Sequence, residues 1–259
     1  MDINKYIARK KNIIDSALDL YIPPASARPA VIHKAMRYAV FPGGKRIRPI
    51  LTITAFEACG GKGDSILPVA CAMELIHCYT LVHDDLPCMD NDDYRRGRLS
   101  CHKKFGEDIA LLAGDGLLTL AFQVLSQANN MEVIETVSGL IGTRGTIGGQ
   151  AEDIKGRKGD LRYIAAKKTG ALFAAAVKAG GIFKKASKQK IQSLGNFGED
   201  IGFVFQLADD LKDKDGYVKI YGEAFTRKKA EALARRAERH LGIFGKKASV
   251  LLELAGLIL

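Results

Sequence analysis

The chain has 259 residues, with 39 Lys and Arg against 29 Asp and Glu for a formal net charge of +10, 47% hydrophobic residues, five cysteines and no tryptophan. That much apolar mass excludes a disordered tail, and a disulfide scaffold would be shorter and much richer in cysteine. The surplus of cations fits nucleic acid, a membrane surface or anionic small substrates, so where the charges lie must decide.

The N-terminus scatters Asp2, Lys5, Arg9, Lys10 and Lys11 among apolar residues. It lacks the unbroken apolar core of a secretory signal, and a cytoplasmic protein is expected. The prolines gather early, from Pro23 to Pro87, with none after it. Pro68 opens a helix that runs to His83, apolar almost all round as at the centre of a bundle, and Pro87 stops it. Further helices are predicted over Asp108 to Gln127, Leu161 to Ala179, Lys188 to Leu211 and Arg227 to Leu241, with glycine breaks near Gly142 to Gly149 and at Gly180-Gly181. Strand-like alternation and fixed-period repeats are not evident, so the reading is one all-α domain over residues 1–259. The longest uncharged stretch, Gly116 to Met131, holds two glutamines and an Asn-Asn pair and is too short and polar to span a bilayer. Cys59, Cys71, Cys78, Cys88 and Cys101 are odd in number and never in a Cys-x-x-Cys arrangement, as for reduced cysteines that serve packing.

Two acidic clusters each end an apolar run. The first is His83-Asp84-Asp85-Leu86-Pro87-Cys88-Met89-Asp90-Asn91-Asp92-Asp93, and the second is Gln206-Leu207-Ala208-Asp209-Asp210-Leu211-Lys212-Asp213. On a helix Asp209 and Asp213 share a face one turn apart, and such like charges repel unless a cation compensates. Hard oxygen donors in this number suit Mg²⁺, which takes one or two carboxylates and completes its shell with water and substrate phosphates. Zinc fits less well, because His77 and His83 have no thiolate or histidine partner at ligand spacing. The cations are clustered too. Gly43-Gly44-Lys45-Arg46-Ile47-Arg48-Pro49 sets three beside a Gly-Gly pair suited to close approach of an anion, Arg95-Arg96 follow the first acidic cluster, and Lys167-Lys168-Thr169-Gly170 precede an apolar helix. Together with metal-binding carboxylates they point to two phosphorylated groups, one held through metal and one by Arg and Lys directly.

The order of these segments, with Ala113-Gly114-Asp115-Gly116-Leu117-Leu118 and Gly148-Gly149-Gln150-Ala151-Glu152-Asp153 between them, resembles the trans-isoprenyl (polyprenyl) diphosphate synthases. The likeness is greatest to bacterial farnesyl and geranylgeranyl diphosphate synthases. It implies an isoprenoid-synthase helical bundle around a deep central cavity, commonly a homodimer, and two or three Mg²⁺ ions bound with diphosphate. By the same resemblance Asp84 and Asp90 bind magnesium, with Asp209 and Asp213 opposite them. Lys45, Arg48, His77 and Arg96 would hold isopentenyl diphosphate; Arg95, Lys168, Thr169 and Gln206 would contact the allylic diphosphate. Asp84, Asp90, Arg95, Lys168 and Asp209 are then the residues at the chemistry: charge on the departing diphosphate is neutralised, the allylic C–O bond breaks toward a carbocation, and isopentenyl diphosphate attacks it. Phe203 and Phe205 either face that cation or simply pack the core, and plain packing is favoured. The expected activity is short-chain prenyl transfer from dimethylallyl or geranyl diphosphate, with no nucleic-acid partner and no stable membrane insertion.

Product length depends on the first Asp helix. Thr80 lies four residues before Asp84, about 6 Å deeper on the same face, and Tyr79 lies five before, about 7.5 Å deeper. Ideal geometry alone nominates Thr80. In the family, bulk at either position limits length, and an aromatic residue at the fifth with the long Asp-Asp spacing resembles bacterial farnesyl synthases. A C15 product is therefore expected, with geranylgeranyl diphosphate as the alternative and a weakly active subunit of a heteromeric synthase as a remote one.

The sequence departs from the family after Asp213, where Lys214-Asp215-Gly216-Tyr217 lead directly into the next helix in place of a longer lysine-bearing loop. Shorter deficits fall around Gln127 to Met131 and Arg157 to Leu161. Either the cover over the phosphates is short, or polar loop residues belong there that this sequence lacks; the second fits the placement of all three deficits and makes 259 a lower bound on length. A terpene cyclase would lack the Gly-Gly-Lys-Arg and Arg-Arg pairs, and a nucleic-acid module would need a continuous cationic face with accessible aromatics. The +10 is thus read as a surplus that includes the cations for two diphosphates.

Overall fold

The computed structural model describes residues 2–41, 43–155 and 161–258. Their regular structure is helical apart from one short hairpin, and they pack as two compact units, Met1–Ile50 with Leu67–Asn129 and Leu51–Ile66 with Asn130–Leu259.

In the first unit α1 (Ile3–Tyr21), capped by the Asp2 side chain, and α2 (Ala30–Val40) lean on α4 (Leu67–Asp84). From Val69 to Val82 α4 buries residues on every side, as its continuous apolar run predicts. It ends in a turn in which Leu86 N–H bonds the His83 carbonyl, just before Pro87. Next comes a hairpin that the sequence reading did not contain. Strands β1 (Tyr94–Arg95) and β2 (Arg98–Leu99) pair antiparallel, with Arg95 opposite Arg98. Arg96 and Gly97 between them both have positive φ, 54° and 74°, as a two-residue turn of right-handed twist demands. Tyr38 fixes the hairpin to α2: its hydroxyl donates to the Leu99 carbonyl at 2.9 Å and its ring lies under the Arg98 guanidinium. After α5 (Cys101–Phe105), α6 (Glu107–Ser126) packs along α4 and buries Ala110, Ala113, Leu117, Ala121 and Val124. By length and composition α6 is apolar enough to cross a membrane, beyond what the uncharged-stretch criterion detected, because an 18-residue window tolerates its two or fewer charges.

In the second unit α7 (Met131–Ile141), α10 (Ala171–Phe183), α11 (Lys188–Asp213) and α13 (Glu223–His240) pack in series, α10 contacting α7 and α11, and α11 contacting α13. Three expected boundaries are corrected here. The helix predicted over Leu161 to Ala179 is three pieces: α9 (Leu161–Ile164), a π-helical segment Ala165–Gly170, and α10. Gly180-Gly181 does not break α10, which continues to Phe183. Gly180 is there for packing, since a Cβ on it would lie 2.3 Å from the Thr52 carbonyl oxygen of α3 (Ile47–Ala58). The glycine break before Gly149 is also shorter than expected, with α8 (Thr146–Ile154) beginning inside it. Beyond α12 (Tyr217–Tyr221) and α13, a 3₁₀ segment Leu241–Ala248 and α14 (Ser249–Gly256) close the chain. The turn after Asp213 takes three residues: Lys214 adopts the left-handed conformation, and the N–H groups of Lys214 and Asp215 both bond the Asp210 carbonyl. The deficit near Arg157 lies outside the described residues.

Described cysteines are all free thiols. Burial pushes Cys71, Cys78 and Cys101 up to about 12, which suits the packing role.

Candidate active site

The Gly-Gly-Lys-Arg loop is shaped by a side chain that the sequence reading left without a role. Arg46 is buried at the start of α3 with a positive φ of 51°, and three elements hold its guanidinium. Nε donates to Asp15 of α1 at 2.8 Å, Nη1 to Glu74 of α4 at 2.6 Å, and Nη2 to the Val40 carbonyl at 2.8 Å. Burial alone would pull the Arg46 pKa down; Glu74 and Asp15 reverse that and raise it. A buried charge so completely paired fixes the loop, and with it Lys45, exposed, and Arg48, partly buried. The Gly-Gly pair, expected to admit an anion, admits Arg96. The Arg96 guanidinium donates to the Gly43 carbonyl, and its carbon would lie 3.0 Å from a Cβ placed on Gly44.

Two turns of α4 below Asp84, about 10.5 Å by ideal rise, His77 sits among these arginines. Burial, then the charges of Arg48 and Arg96, hold its pKa well below the ordinary histidine value, so it stays neutral near pH 7. Its Nδ1 is sealed from solvent and has no hydrogen-bond partner. Arg48, His77 and Arg96 are therefore brought together, with Lys45 beside them in sequence.

The first acidic motif divides its labour. Asp84 is partly buried and Asp90 exposed, and the Asp90 N–H bonds the Asp84 carbonyl at 2.8 Å, so the four residues of the longer spacing form a loop that returns Asp90 to Asp84. Asp85 is buried and holds Arg95, accepting from Nε at 2.8 Å and also from Nη2, while Asp92 accepts from Nη2 at 2.7 Å. Burial raises the Asp85 pKa against the opposing pull of Arg95. Arg95 is thus aimed by a carboxylate not counted among the predicted site residues. Deeper on α4, Tyr79 is buried with its ring edge-on to His83, its hydroxyl unpartnered and its pKa pushed up to about 12 by burial, with the Asp84 charge adding to it. Thr80 is partly buried and its hydroxyl donates to the His77 carbonyl at 2.8 Å.

The second unit repeats this division. Asp209 and Asp213 are exposed at the end of α11, while Asp210 is buried. Asp210 accepts from Gln206 Nε2 at 2.9 Å and from the Tyr217 N–H at 2.9 Å, which ties the tight turn to the helix end. Gln206 Oε1 in turn accepts from the Thr169 hydroxyl at 2.9 Å. Lys168 and Thr169 stand on the π-helical segment, a local irregularity common at functional sites. Close packing makes room for it. A Cβ on Gly149 would lie 2.2 Å from the Lys168 nitrogen, and one on Gly202 would lie 2.6 Å from the Gly170 Cα. Lys168 Nζ donates to Asp153 Oδ2 at 2.7 Å. Thr169 and Gln206 are joined directly and Lys168 adjoins them in sequence. Phe203 meets Tyr217 edge-on and Phe205 lies tilted against Phe173, as core packing would have it.

The carboxylate pairs fit magnesium by their chemistry, as hard oxygen donors near helix ends. Among the described residues no three His, Cys, Asp or Glu side chains converge, so such an ion would draw its other ligands from water and diphosphate.

The polyprenyl synthetase family profile matches residues 29–233. The large subunit of a heterodimeric chloroplast geranylgeranyl pyrophosphate synthase of Arabidopsis thaliana is 40% identical, covering 99% of this chain and 79% of that protein. A farnesyl diphosphate synthase of Geobacillus stearothermophilus is 39% identical, covering 86% of this chain and 79% of its own length. The alignment with the Arabidopsis subunit runs over 294 positions against 259 residues here, so that relative carries internal residues this chain lacks. Among solved structures, an apo FPP/GFPP synthase from Zymomonas mobilis superposes with a TM-score of 0.93 at 33% identity, covering 100% of this chain and 99% of that one.

Proposed function

Because the chain belongs to the polyprenyl synthetase family and carries its diphosphate-binding residue types in both units, we propose that it condenses isopentenyl diphosphate with dimethylallyl and geranyl diphosphate to give farnesyl diphosphate. Short-chain prenyl transfer is the activity its relatives' names share; the C15 product is carried by one observation, the buried Tyr79 five residues before Asp84. A bulky ring there closes the space that a lengthening apolar tail would otherwise enter.

Each residue has a task in this chemistry. Asp84 and Asp90, and Asp209 and Asp213, are the residues that would hold magnesium, which when bound would supply Lewis-acid withdrawal of charge from a leaving diphosphate. Arg95, aimed by Asp85, and Lys168 add fixed positive charge where the allylic C1–O bond breaks. Lys45, Arg48 and Arg96 bind the second diphosphate. His77, kept neutral, offers them a hydrogen-bonding neighbour without adding charge. The terminal double bond of isopentenyl diphosphate forms the new C–C bond, its C2 proton leaves to the released diphosphate, and no side-chain nucleophile is needed. Magnesium dependence, a homodimeric state and a cytoplasmic location belong to this reading. The geranylgeranyl alternative is favoured by the 40% identity to a subunit of a C20 synthase. Chromatography of dephosphorylated products separates the two: farnesol from the natural protein and longer alcohols from Tyr79→Ala support the proposal, whereas a C20 product from the natural protein, or no lengthening in the variant, removes Tyr79 as the stop.

A further inference from the structure

Helix α13 separates its charges around its axis. Thr226, Ala230, Leu233, Ala234 and Ala237 are buried on one side. On the other, at about 100° per residue, Arg235, Lys228, Arg239, Phe225, Arg236 and Lys229 fall in that order across an arc of about 120°. The acids of this helix, Glu223, Glu231 and Glu238, all lie outside that arc. Its cations stay accessible: Arg236 bonds buried Asp200 with its side chain still 48% exposed, Arg235 reaches Glu231 only at 3.8 Å, and Lys228 and Arg239 are exposed.

At the N-terminal end of this stripe large apolar side chains stand in water, Ile220 at 55% exposure, Tyr221 at 52% and Phe225 at 49%. They are firmly seated. The rings of Phe203, Tyr217, Tyr221 and Phe225 follow one another with centroids 5.6, 5.4 and 5.1 Å apart, and the first two belong to the buried core with Leu207 and Leu233. Lys229 Nζ lies 5.5 Å over the Phe203 ring and 5.9 Å over that of Tyr217. The ladder therefore holds the exposed patch of α12 and the cationic stripe of α13 together as one surface.

We propose that this surface docks the protein on an anionic membrane, Lys228, Arg235 and Arg239 meeting lipid headgroups while Ile220, Tyr221 and Phe225 enter the boundary between headgroups and acyl chains. Complementary charge calls for an anionic partner, and the apolar end decides its kind. Single-stranded nucleic acid is bound by aromatics that track the cations along a groove. Here the cations from Lys228 to Arg239 form a row about 16 Å long on a convex helix, and the apolar residues gather at one end with Ile220, which offers no ring to a base. A lipid boundary suits both parts: it takes the Tyr221 ring while its hydroxyl stays wet, and it lets Lys and Arg lay their stems along apolar matter with their heads at the phosphates. The attachment is peripheral, leaves the bundle packed, and does not depend on the prenyl-transfer reading.

The full chain is sedimented with vesicles of phosphatidylcholine alone and with vesicles in which phosphatidylserine makes up about a third of the lipid. Binding should be confined to the phosphatidylserine vesicles and should decline as salt rises. Lys228→Glu, Arg235→Glu and Arg239→Glu combined should weaken it about a hundredfold, and Tyr221→Ser with Phe225→Ser about tenfold. Thermal midpoints by circular dichroism establish that folded proteins are compared, and Ile220→Ser, outside the ring ladder, replaces the aromatic pair should its midpoint fall. Equal binding to both kinds of vesicle, binding to neither, or phosphatidylserine binding that survives either set of substitutions overturns the proposal. So does tighter binding to a fluorescent single-stranded oligonucleotide than to the vesicles, which assigns the stripe to nucleic acid instead.

Discussion

Glu74 is the residue through which stability and substrate binding are most directly coupled. Its carboxylate is 2% exposed and faces an Arg46 side chain that is 1% exposed, so neither charge has water to fall back on. Glu74→Gln keeps the shape and an acceptor but removes the charge. Taking one partner from a buried pair costs about 3–5 kcal/mol, because the remaining charge stays desolvated. Asp15, 33% exposed, and the Val40 carbonyl still hold Arg46, so a loss near 2–3 kcal/mol is expected on the same principle. Against a typical total of about 5–15 kcal/mol the variant should fold, with a clearly lower urea midpoint by circular dichroism. Arg46 fixes the loop that carries Lys45 and Arg48, so the KM for isopentenyl diphosphate should rise several-fold while that for geranyl diphosphate moves little. The pair Arg46→Met with Glu74→Leu should recover stability but not the KM, since apolar replacement of both charges removes the penalty and leaves the loop unpinned. A change under about 1 kcal/mol in Glu74→Gln, with the isopentenyl KM unmoved, would refute the clamp.

Asp85→Asn should leave thermal stability nearly intact, because burial already disfavours its charge, yet kcat should fall by about 10–100-fold as Arg95 loses charge-assisted bonds, which steady-state kinetics would read. Gly149→Ala places a methyl 2.2 Å from the Lys168 nitrogen; the π-helical segment must shift, costing about 1–3 kcal/mol by denaturant titration and lowering activity with geranyl diphosphate. The depressed pKa of His77 means that the unfolded chain takes up its proton first as pH falls. Its contribution is present above the ordinary histidine pKa and is lost on acidification below it, with a slope of up to about 1.4 kcal/mol per pH unit. Thermal midpoints between pH 8 and pH 5 should therefore fall less steeply in His77→Gln than in the natural protein.

Much of this molecule is legible in its sequence because the elements are long and their signals local. The helix from Pro68 to His83 announces itself by a run too apolar for a surface, and the paired aspartates announce chemistry because like charges rarely gather at the end of such a run. What escapes is long-range. Nothing local marks Gly180 as a packing contact with Thr52, so a Gly-Gly pair reads as a break. The π-helical turn at Lys168 arises from close approach of Gly149 and Gly202 on other helices, which periodicity within one segment does not register. The same applies inside the motifs. Asp84 and Asp85, like Asp209 and Asp210, are equivalent as letters, and only burial separates Asp85 and Asp210, sealed against the neighbours they bond, from the more accessible Asp84 and Asp209. The Arg-Gly turn signal after Tyr94 was present, and two strands of two residues were too short to show an alternation.

Release of inorganic diphosphate, measured alongside consumption of isopentenyl diphosphate with geranyl diphosphate as co-substrate and Mg²⁺ present, tests the central claim most directly. Prenyl transfer predicts one diphosphate released for each isopentenyl diphosphate consumed, with release abolished when either isopentenyl diphosphate or Mg²⁺ is omitted. Release that proceeds without isopentenyl diphosphate, or no release with both substrates and metal present, would contradict it.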